Sequence, residues 1–379
     1  MLYLDNNSTT KIDEEVLNEM LPYLNYSYGN SASRTHKFGW DANDAVKKAR
    51  ERVANLINAK PDEITFNSGS TEGINFLIKG VFEEYLEKGN HIITVKTEHK
   101  AVLDVCEFLS NKGGEITYLN VNKDGLIDIN ELKNAISDKT ILISVMYANN
   151  ETGVIQDIKD IGKIARENNI LFMTDATQAV GKIKVDVIED NIDLLTISAH
   201  KLHGPKGVGA VFIKRRFPKI KITPLLHGGG HEKGYRSGTI NVAGVVGLGK
   251  ASEIAQKLGE YKSVLKLRNQ LEKELSEIEG ISLNGDLNKR LPNTINVCIS
   301  GVDAEAIIIK IRDEFAIASG SACTSAEVLP SHVIMAMYEN EEKAYSSIRI
   351  SLGKNITTKE IQRFSKILKK KIISIKNII

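Results

Sequence analysis

Two side chains in this 379-residue chain have the types and the spacing for chemistry on a carbonyl compound. Lys201 follows the apolar run Leu194 to Ile197, which reads as a short buried strand, and precedes the glycine-rich turn Gly204-Pro-Lys-Gly207. A lysine ammonium held at a strand end where water is scarce gives up its proton more readily, and the free amine attacks carbonyl carbon. The plainer reading is a solvated lysine. A second apolar run, Ile170 to Thr174, ends in Asp175, which precedes Lys201 by 26 positions. That interval is about one helix-and-strand crossover and sets both side chains on the same edge of a parallel sheet. A carboxylate there keeps a pyridine nitrogen protonated, so Asp175 with Lys201 describes a site for pyridoxal phosphate.

Two further stretches bear on such a site. Asn67-Ser-Gly-Ser-Thr-Glu72 lies between the strand signal Ile64-Thr-Phe66 and a helical pattern through Ile74, Leu77, Ile78 and Val81. A turn of this kind running into a helix offers unpaired N–H groups and the positive end of the dipole, which makes Gly69, Ser70 and Thr71 a candidate phosphate cup. An ordinary capping box, Ser68 or Ser70 with Glu72, reads equally well. Ala318-Ser-Gly-Ser-Ala-Cys323-Thr-Ser-Ala-Glu327 places a cysteine among small, turn-prone residues, as expected of a working thiol on a moving loop. The other reading is a helix N-cap with an incidental cysteine. Cys298, in Ile295-Asn-Val-Cys-Ile299, has the apolar surroundings of a buried thiol. Three cysteines without a Cys-x-x-Cys pair speak against a disulfide framework or a zinc site, and no metal is expected.

The elements that must position these groups alternate along the chain. Amphipathic helices are expected over 13–21 and 43–58, joined by the polar loop 28–34 that contains Asn30. Strands at 91–95, 141–145, 171–174, 194–198 and 208–213 are interleaved with helical segments at 101–111, 129–136 and 158–167. This order predicts an α/β fold with a doubly wound, mainly parallel sheet, whose ligands bind beyond the carboxyl ends of the strands. His99, Asn150, Asp175, Gln178, Ser198, His200 and Lys201 all follow strand ends. A charge-rich helical region from 251 to 278, strands at 295–299 and 348–352 and a helix over 357–375 predict a smaller α/β domain. The expected division is 14–257 for the large cofactor-binding domain and 1–13 plus 258–379 for the small one.

Three patterns are discounted. In His227-Gly-Gly-Gly-His231-Glu232 the glycines oppose a helical pair of metal-binding histidines, so a mobile loop is expected. Gly244-Val-Val-Gly-Leu-Gly-Lys250 has Ala251 where a nucleotide-binding loop needs Ser or Thr. Two glycosylation sequons, at Asn7 and Asn150, carry no meaning without a secretion signal. Apolar residues make up 42% and charged residues 26%, and 50 basic against 48 acidic residues leave +2, which asks for neither nucleic acid nor membrane. The amino terminus lacks a basic start and a long apolar stretch, so a cytoplasmic protein is expected.

From Tyr3 to about Leu352 the chain resembles the cysteine desulfurases of the NifS/IscS type, within the fold-type I enzymes that use pyridoxal phosphate. The resemblance rests on Leu4-Asp-Asn, Gly29-Asn, Ser68-Gly-x-Thr-Glu72, Thr97-Glu-His-Lys-Ala-Val102, Asn149-Asn-Glu-x-Gly153 and Asp175-Ala-Thr-Gln178. It continues through His200-Lys201, Gly204-Pro-Lys-Gly207, His227-Gly-Gly-Gly-His-Glu232, Arg236-Ser-Gly-Thr239, Ser319-Gly-Ser-Ala-Cys-Thr-Ser325 and Ser347-Ile-Arg349. It implies Lys201 as the covalent anchor of the cofactor, Asp175 on its ring nitrogen, His99 stacked on the ring, and Gln178 and Asn150 near its phenolic oxygen. Thr71, Ser198 and His200 are implied on the phosphate, joined by Thr239 from a second subunit and hence in a homodimer. Arg349, aided by Asn30, is implied on the carboxylate of substrate L-cysteine, and Cys323 as the thiol that takes its sulfur. The form of the Cys323 stretch is similar to that of the group supplying iron–sulfur scaffold proteins and tRNA-thiolation acceptors. Ser31, Tyr147 and Met173 depart from a proline and two histidines frequent in the family, and the tail after Ile372 is short. Aminotransferases and selenocysteine lyases need Lys201 and Asp175 but no mobile thiol, and a non-catalytic sulfur-transfer platform needs neither.

Overall fold

The computed structural model describes residues 1–257, 259–320 and 329–377. Along the chain run β1 (Leu2–Tyr3), α1 (Glu14–Asn25), α2 (Lys37–Leu56), β2 (Ile64–Asn67), α3 (Ser70–Tyr85), β3 (His91–Val95), α4 (Lys100–Ser110), β4 (Glu115–Leu119), α5 (Ile129–Ala135), β5 (Thr140–Ser144) and α6 (Ile158–Glu167). There follow β6 (Leu171–Asp175), β7 (Leu194–Ser198), β8 (Gly209–Ile213), α7 (Val242–Ala255), α8 (Gly259–Ser276), β9 (Ile281–Leu283), β10 (Thr294–Ile299) and α9 (Ala304–Ile311). The described elements end with β11 (Phe315–Ala316), β12 (Ala318–Ser319), α10 (His332–Tyr338), α11 (Glu341–Tyr345), β13 (Ser347–Ser351) and α12 (Thr358–Lys376).

Among the described residues the main sheet has seven strands in the order β2-β8-β7-β6-β5-β3-β4. All run parallel except β8, which is antiparallel to both β2 and β7. The reversal follows from chain length: residues 199–208 are too few for a crossover, so the chain turns back on the edge it has just reached. β2, two reversals from β7, again points the same way as the parallel set. Burial on both faces explains the near-continuous apolar runs of these strands. Phe172, Leu195 and Phe212 enter one core with α2, α6 and α7, and Leu171, Met173, Leu194 and Val211 enter another with α3 and α4. The connection 176–193 departs from expectation, because it reaches the parallel strand β7 through turns and bridges without an α-helix.

The stretch with the near nucleotide-binding pattern is the interior of α7, buried almost all round. Its glycines serve close packing: a Cβ on Gly249 would lie 2.5 Å from the Ala49 Cα, so α7 rests directly on α2. The carboxyl-terminal part holds an antiparallel sheet, β12-β13-β10-β9, and a core in which Ile295, Val297, Ile348 and Ile350 pack with α8, α9 and α12. Leu4 joins this core from the amino terminus, and β1 pairs with β11. Among the described residues no helix is long and apolar enough to cross a membrane.

Candidate active site

The carboxyl ends of β2, β6 and β7 bring three groups to one edge of the main sheet. Beyond β2, Gly69 is the N-cap of α3, with φ +142°, a backbone conformation that suits glycine alone, and no side chain caps the helix there. Half of the capping-box reading is present, since Glu72 Oε2 accepts the Ser68 N–H at 2.9 Å, but Glu72 also pairs with Arg236 and the first turn stays open. Ser70 and Thr71 begin that turn, and the Ser70 hydroxyl lies 2.5 Å from that of Thr177. Helix amides in a first turn have no intrahelical acceptor, so this end is built for an anion. Ser198, at the end of β7, faces the gap left by the missing Gly69 side chain: a Cβ there would be 3.5 Å from its hydroxyl.

Lys201 stands three residues beyond β7. Its Nζ donates to the backbone carbonyls of Asn7 at 2.6 Å and Ser8 at 2.7 Å. Burial, reinforced by the Arg349 charge, pushes its pKa down to about 8, against the pull of Asp175 and Asp5. His200 beside it is pushed down to about 4, mainly by burial and then by Lys201, so its imidazole is neutral. Asp175 closes β6 nearly buried, and its Oδ1 accepts the Thr177 N–H at 2.9 Å. Gln178 gives Nε2–H to the Asn7 carbonyl at 2.9 Å, while its Oε1 accepts from buried Lys182 at 2.6 Å. These contacts fix which way the Gln178 amide faces.

His99 caps α4 by accepting the Ala101 N–H on Nδ1 at 3.1 Å, which leaves its ring proton on Nε2. Burial lowers its pKa, and the charges of Asp175 and Lys201 both act on it. Arg349, on β13, donates to Asp5 Oδ1 at 2.7 Å, to the Ser8 hydroxyl at 2.6 Å and to the Asn150 carbonyl at 3.1 Å. A cavity of about 600 Å³ is lined by Gly69, Ser70, Thr71, His99, Asn150, Gln178, Ser198, His200, Lys201 and Arg349. An adjoining cavity of about 500 Å³ shares Ser8, His99, Asn150 and Arg349, and reaches Ser319 and Gly320. Cys323 lies outside the described residues.

Two expected residues are not brought in. Asn30 spends its Oδ1 on the Ala32 N–H at 2.9 Å in an exposed loop, and Thr239 is exposed ahead of α7. Neither lines the cavity in this chain. Reasoning from sequence missed Asn7 and Ser8, which enter the site through backbone carbonyls, and buried Lys182 behind Gln178. The Leu4-Asp-Asn motif was the available signal, because residues 5–10 cross the site held by bonds such as the Asn7 side chain to Thr294 at 2.9 Å. Tyr147 bonds Asp190 at 3.0 Å and Met173 lies in a core, so neither departure touches the cavity. In the 227–232 stretch Glu232 is taken up by Arg50 at 2.6 Å and by the Phe66 N–H at 2.8 Å.

The donor set fits pyridoxal phosphate: an uncapped helix end for a phosphate, a desolvated amine for an aldehyde, and a carboxylate at the neighbouring strand end. The chain is also similar to known proteins. The family model described as aminotransferase class-V matches residues 2–364. "Cysteine desulfurase IscS" of Neisseria meningitidis serogroup A is 50% identical over 376 residues, 98% of this chain and 92% of that protein. A solved structure described as a NifS-like protein superposes with a TM-score of 0.91 at 37% identity, covering 99% of each chain. Another, described as SspA in complex with cysteine, has a TM-score of 0.84 at 36% identity over 93% of this chain and 99% of that one.

Proposed function

The chain belongs to the aminotransferase class-V family and is a cysteine desulfurase, and on that premise we propose how its own residues divide the work. One observation carries the assignment: the Lys201 amine, the open end of α3 and the Arg349 guanidinium face a single cavity that continues toward Gly320. Pyridoxal phosphate, when bound, supplies an aldehyde for a primary amine and a ring that draws electrons from the substrate α-carbon. Lys201 would be its anchor, Asp175 would serve its ring nitrogen, and Gln178 and Asn150 its phenolic oxygen. Gly69, Ser70 and Thr71, with Ser198 and His200, would hold the phosphate, and Thr239 of a second copy in a homodimer would complete that set. His99, neutral and with its proton on Nε2, moves protons at the face of the site. With the cofactor bound, Lys201, whose burial favours the free amine, would also serve as the base for the substrate α-proton.

Arg349 holds the L-cysteine carboxylate, whose charge outcompetes the neutral Ser8 hydroxyl it bonds now. Cys323 takes the sulfur: its S–S bond forms as the substrate Cβ–S bond breaks, and alanine leaves with the proton count unchanged. Cys106 and Cys298 are unsuited to this step, because both are buried, with the Cys106 thiol pushed up to about 12 and Cys298 raised. The sulfur then passes to an iron–sulfur scaffold protein or a tRNA-thiolation acceptor. Residues 14–257 form the cofactor-binding domain and 1–13 with 258–379 the smaller one.

The test supplies L-cysteine and pyridoxal phosphate and counts products. Alanine and sulfide in equal amounts with a thiol reductant, and a chain one sulfur atom heavier without it, are expected; keto acid in place of alanine would identify an aminotransferase instead. Arg349→Lys keeps the charge opposite Asp5 but loses the planar fork, so KM for cysteine should rise roughly 10- to 100-fold, about 1.5–3 kcal/mol, with kcat little changed. An unchanged KM would remove Arg349 from the substrate carboxylate.

A further inference from the structure

Glu98, next to His99, is fully buried. Its Oε1 accepts the Met146 N–H at 2.5 Å, and its Oε2 is buried with no hydrogen-bond partner. Its backbone carbonyl accepts from His332 Nε2 at 2.9 Å, and the Asn149 amide holds the Thr97 carbonyl at 3.0 Å. The carboxyl thus ties the turn that presents His99 to the chain leaving β5, which goes on to Asn150. Asp175 from β6 and the Cys106 thiol from α4 are the titratable groups that act on this carboxyl, while His332 from α10 meets only the Glu98 backbone carbonyl. Among the described residues none of these forms an ion pair with it.

An ionised carboxylate in such a place costs far more than a neutral acid, since the backbone amides of Met146 and His99 offset only part of the lost hydration and no cation balances the charge. We propose that Glu98 is a positioning residue held as a neutral carboxylic acid, locking the His99 turn to the Asn150 loop without adding a second negative charge beside Asp175. The surroundings of Glu98, closed to water and to any cation, favour its uncharged form. Burial first, and then the Asp175 charge, raise the Glu98 pKa well above the usual carboxylate range. A neutral Glu98 sets no like charge against Asp175, the partner proposed for the ring nitrogen; this inference rests on the cofactor site proposed above.

The first measurement needs neither cofactor nor turnover. An infrared spectrum of the cofactor-free chain at pH 7.5 should show a protonated carboxyl band that is absent from Glu98→Gln. A wild-type spectrum with carboxylate bands only, or a band that survives the substitution, overturns the proposal. In the loaded enzyme Glu98→Gln, which keeps the acceptor for Met146 and carries no charge, should hold kcat within about threefold of wild type. Glu98→Ala should lower it roughly 10- to 100-fold, the scale of a small misplacement of catalytic groups, with KM for cysteine little changed. A Glu98→Gln enzyme as slow as Glu98→Ala would mean that the ionised form is needed. A wild-type chain that shows the band but makes no alanine would sink the desulfurase mechanism and leave the neutral acid standing.

Discussion

Lys201→Ala should leave a folded chain that binds pyridoxal phosphate only reversibly, loses the absorbance of the covalently held cofactor and turns cysteine over roughly 10⁴-fold more slowly, about 5 kcal/mol of barrier. Two proposed functions are removed together, since the amine is assigned both as anchor and as base. The same residue makes the prediction separable from unfolding. A lysine whose folded pKa is about 8, below its ordinary 10.5, is penalised in its charged form. Between pH 8 and 10.5 the unfolded chain holds a proton that the folded chain lacks, so stability rises with pH across that window, and below pH 8 the penalty is present in full. Alanine removes the penalty, so the cofactor-free variant should melt no lower than the cofactor-free wild type at pH 7, even with the bonds to Asn7 and Ser8 gone. In the wild type, covalent capture of added cofactor should quicken as pH rises through about 8, because the free amine is the reacting form. Persistent turnover in Lys201→Ala, or a cofactor band unaltered by the change, would place the anchor elsewhere.

Cys323→Ser is expected to keep the cofactor, its absorbance and the response to added cysteine, and to lose alanine formation roughly 10³-fold or more. A hydroxyl is a far poorer nucleophile toward sulfur than a thiolate, and the two buried thiols offer no substitute. Mass spectrometry should find the sulfur adduct on the wild-type chain and none on the variant. Undiminished alanine from cysteine would refute the thiol's role. Alanine from selenocysteine alone would mark the chain as a selenocysteine lyase, for which no attacking thiol is required.

Much of the sheet could be read directly. Buried parallel strands need apolar side chains on both faces, so the runs ending at Val95, Asp175 and Ser198 stood out, and ligand-facing residues follow such ends in any open α/β sheet. The antiparallel course of β8 was implicit in the ten residues that precede it. The helix expected between Asp175 and Leu194 does not form, because turns and isolated bridges such as Val180 to Ile183 carry the chain across instead. Position along the chain was thus a good guide to which edge a residue reaches and a poor guide to the path between edges.

Residue type and order alone determined that a lysine, a carboxylate and a glycine-led helix start would meet at one sheet edge, because strand direction and connection length leave little choice. Only the folded chain decided what surrounds them. Asn7 and Ser8 hold the amine through backbone carbonyls, which every residue possesses and no side-chain pattern reveals. Lys182 orients Gln178, and Glu98 is stripped of water and of any cation, through contacts between segments distant in sequence. Protonation state depends on that burial, and burial is a property of the packed molecule.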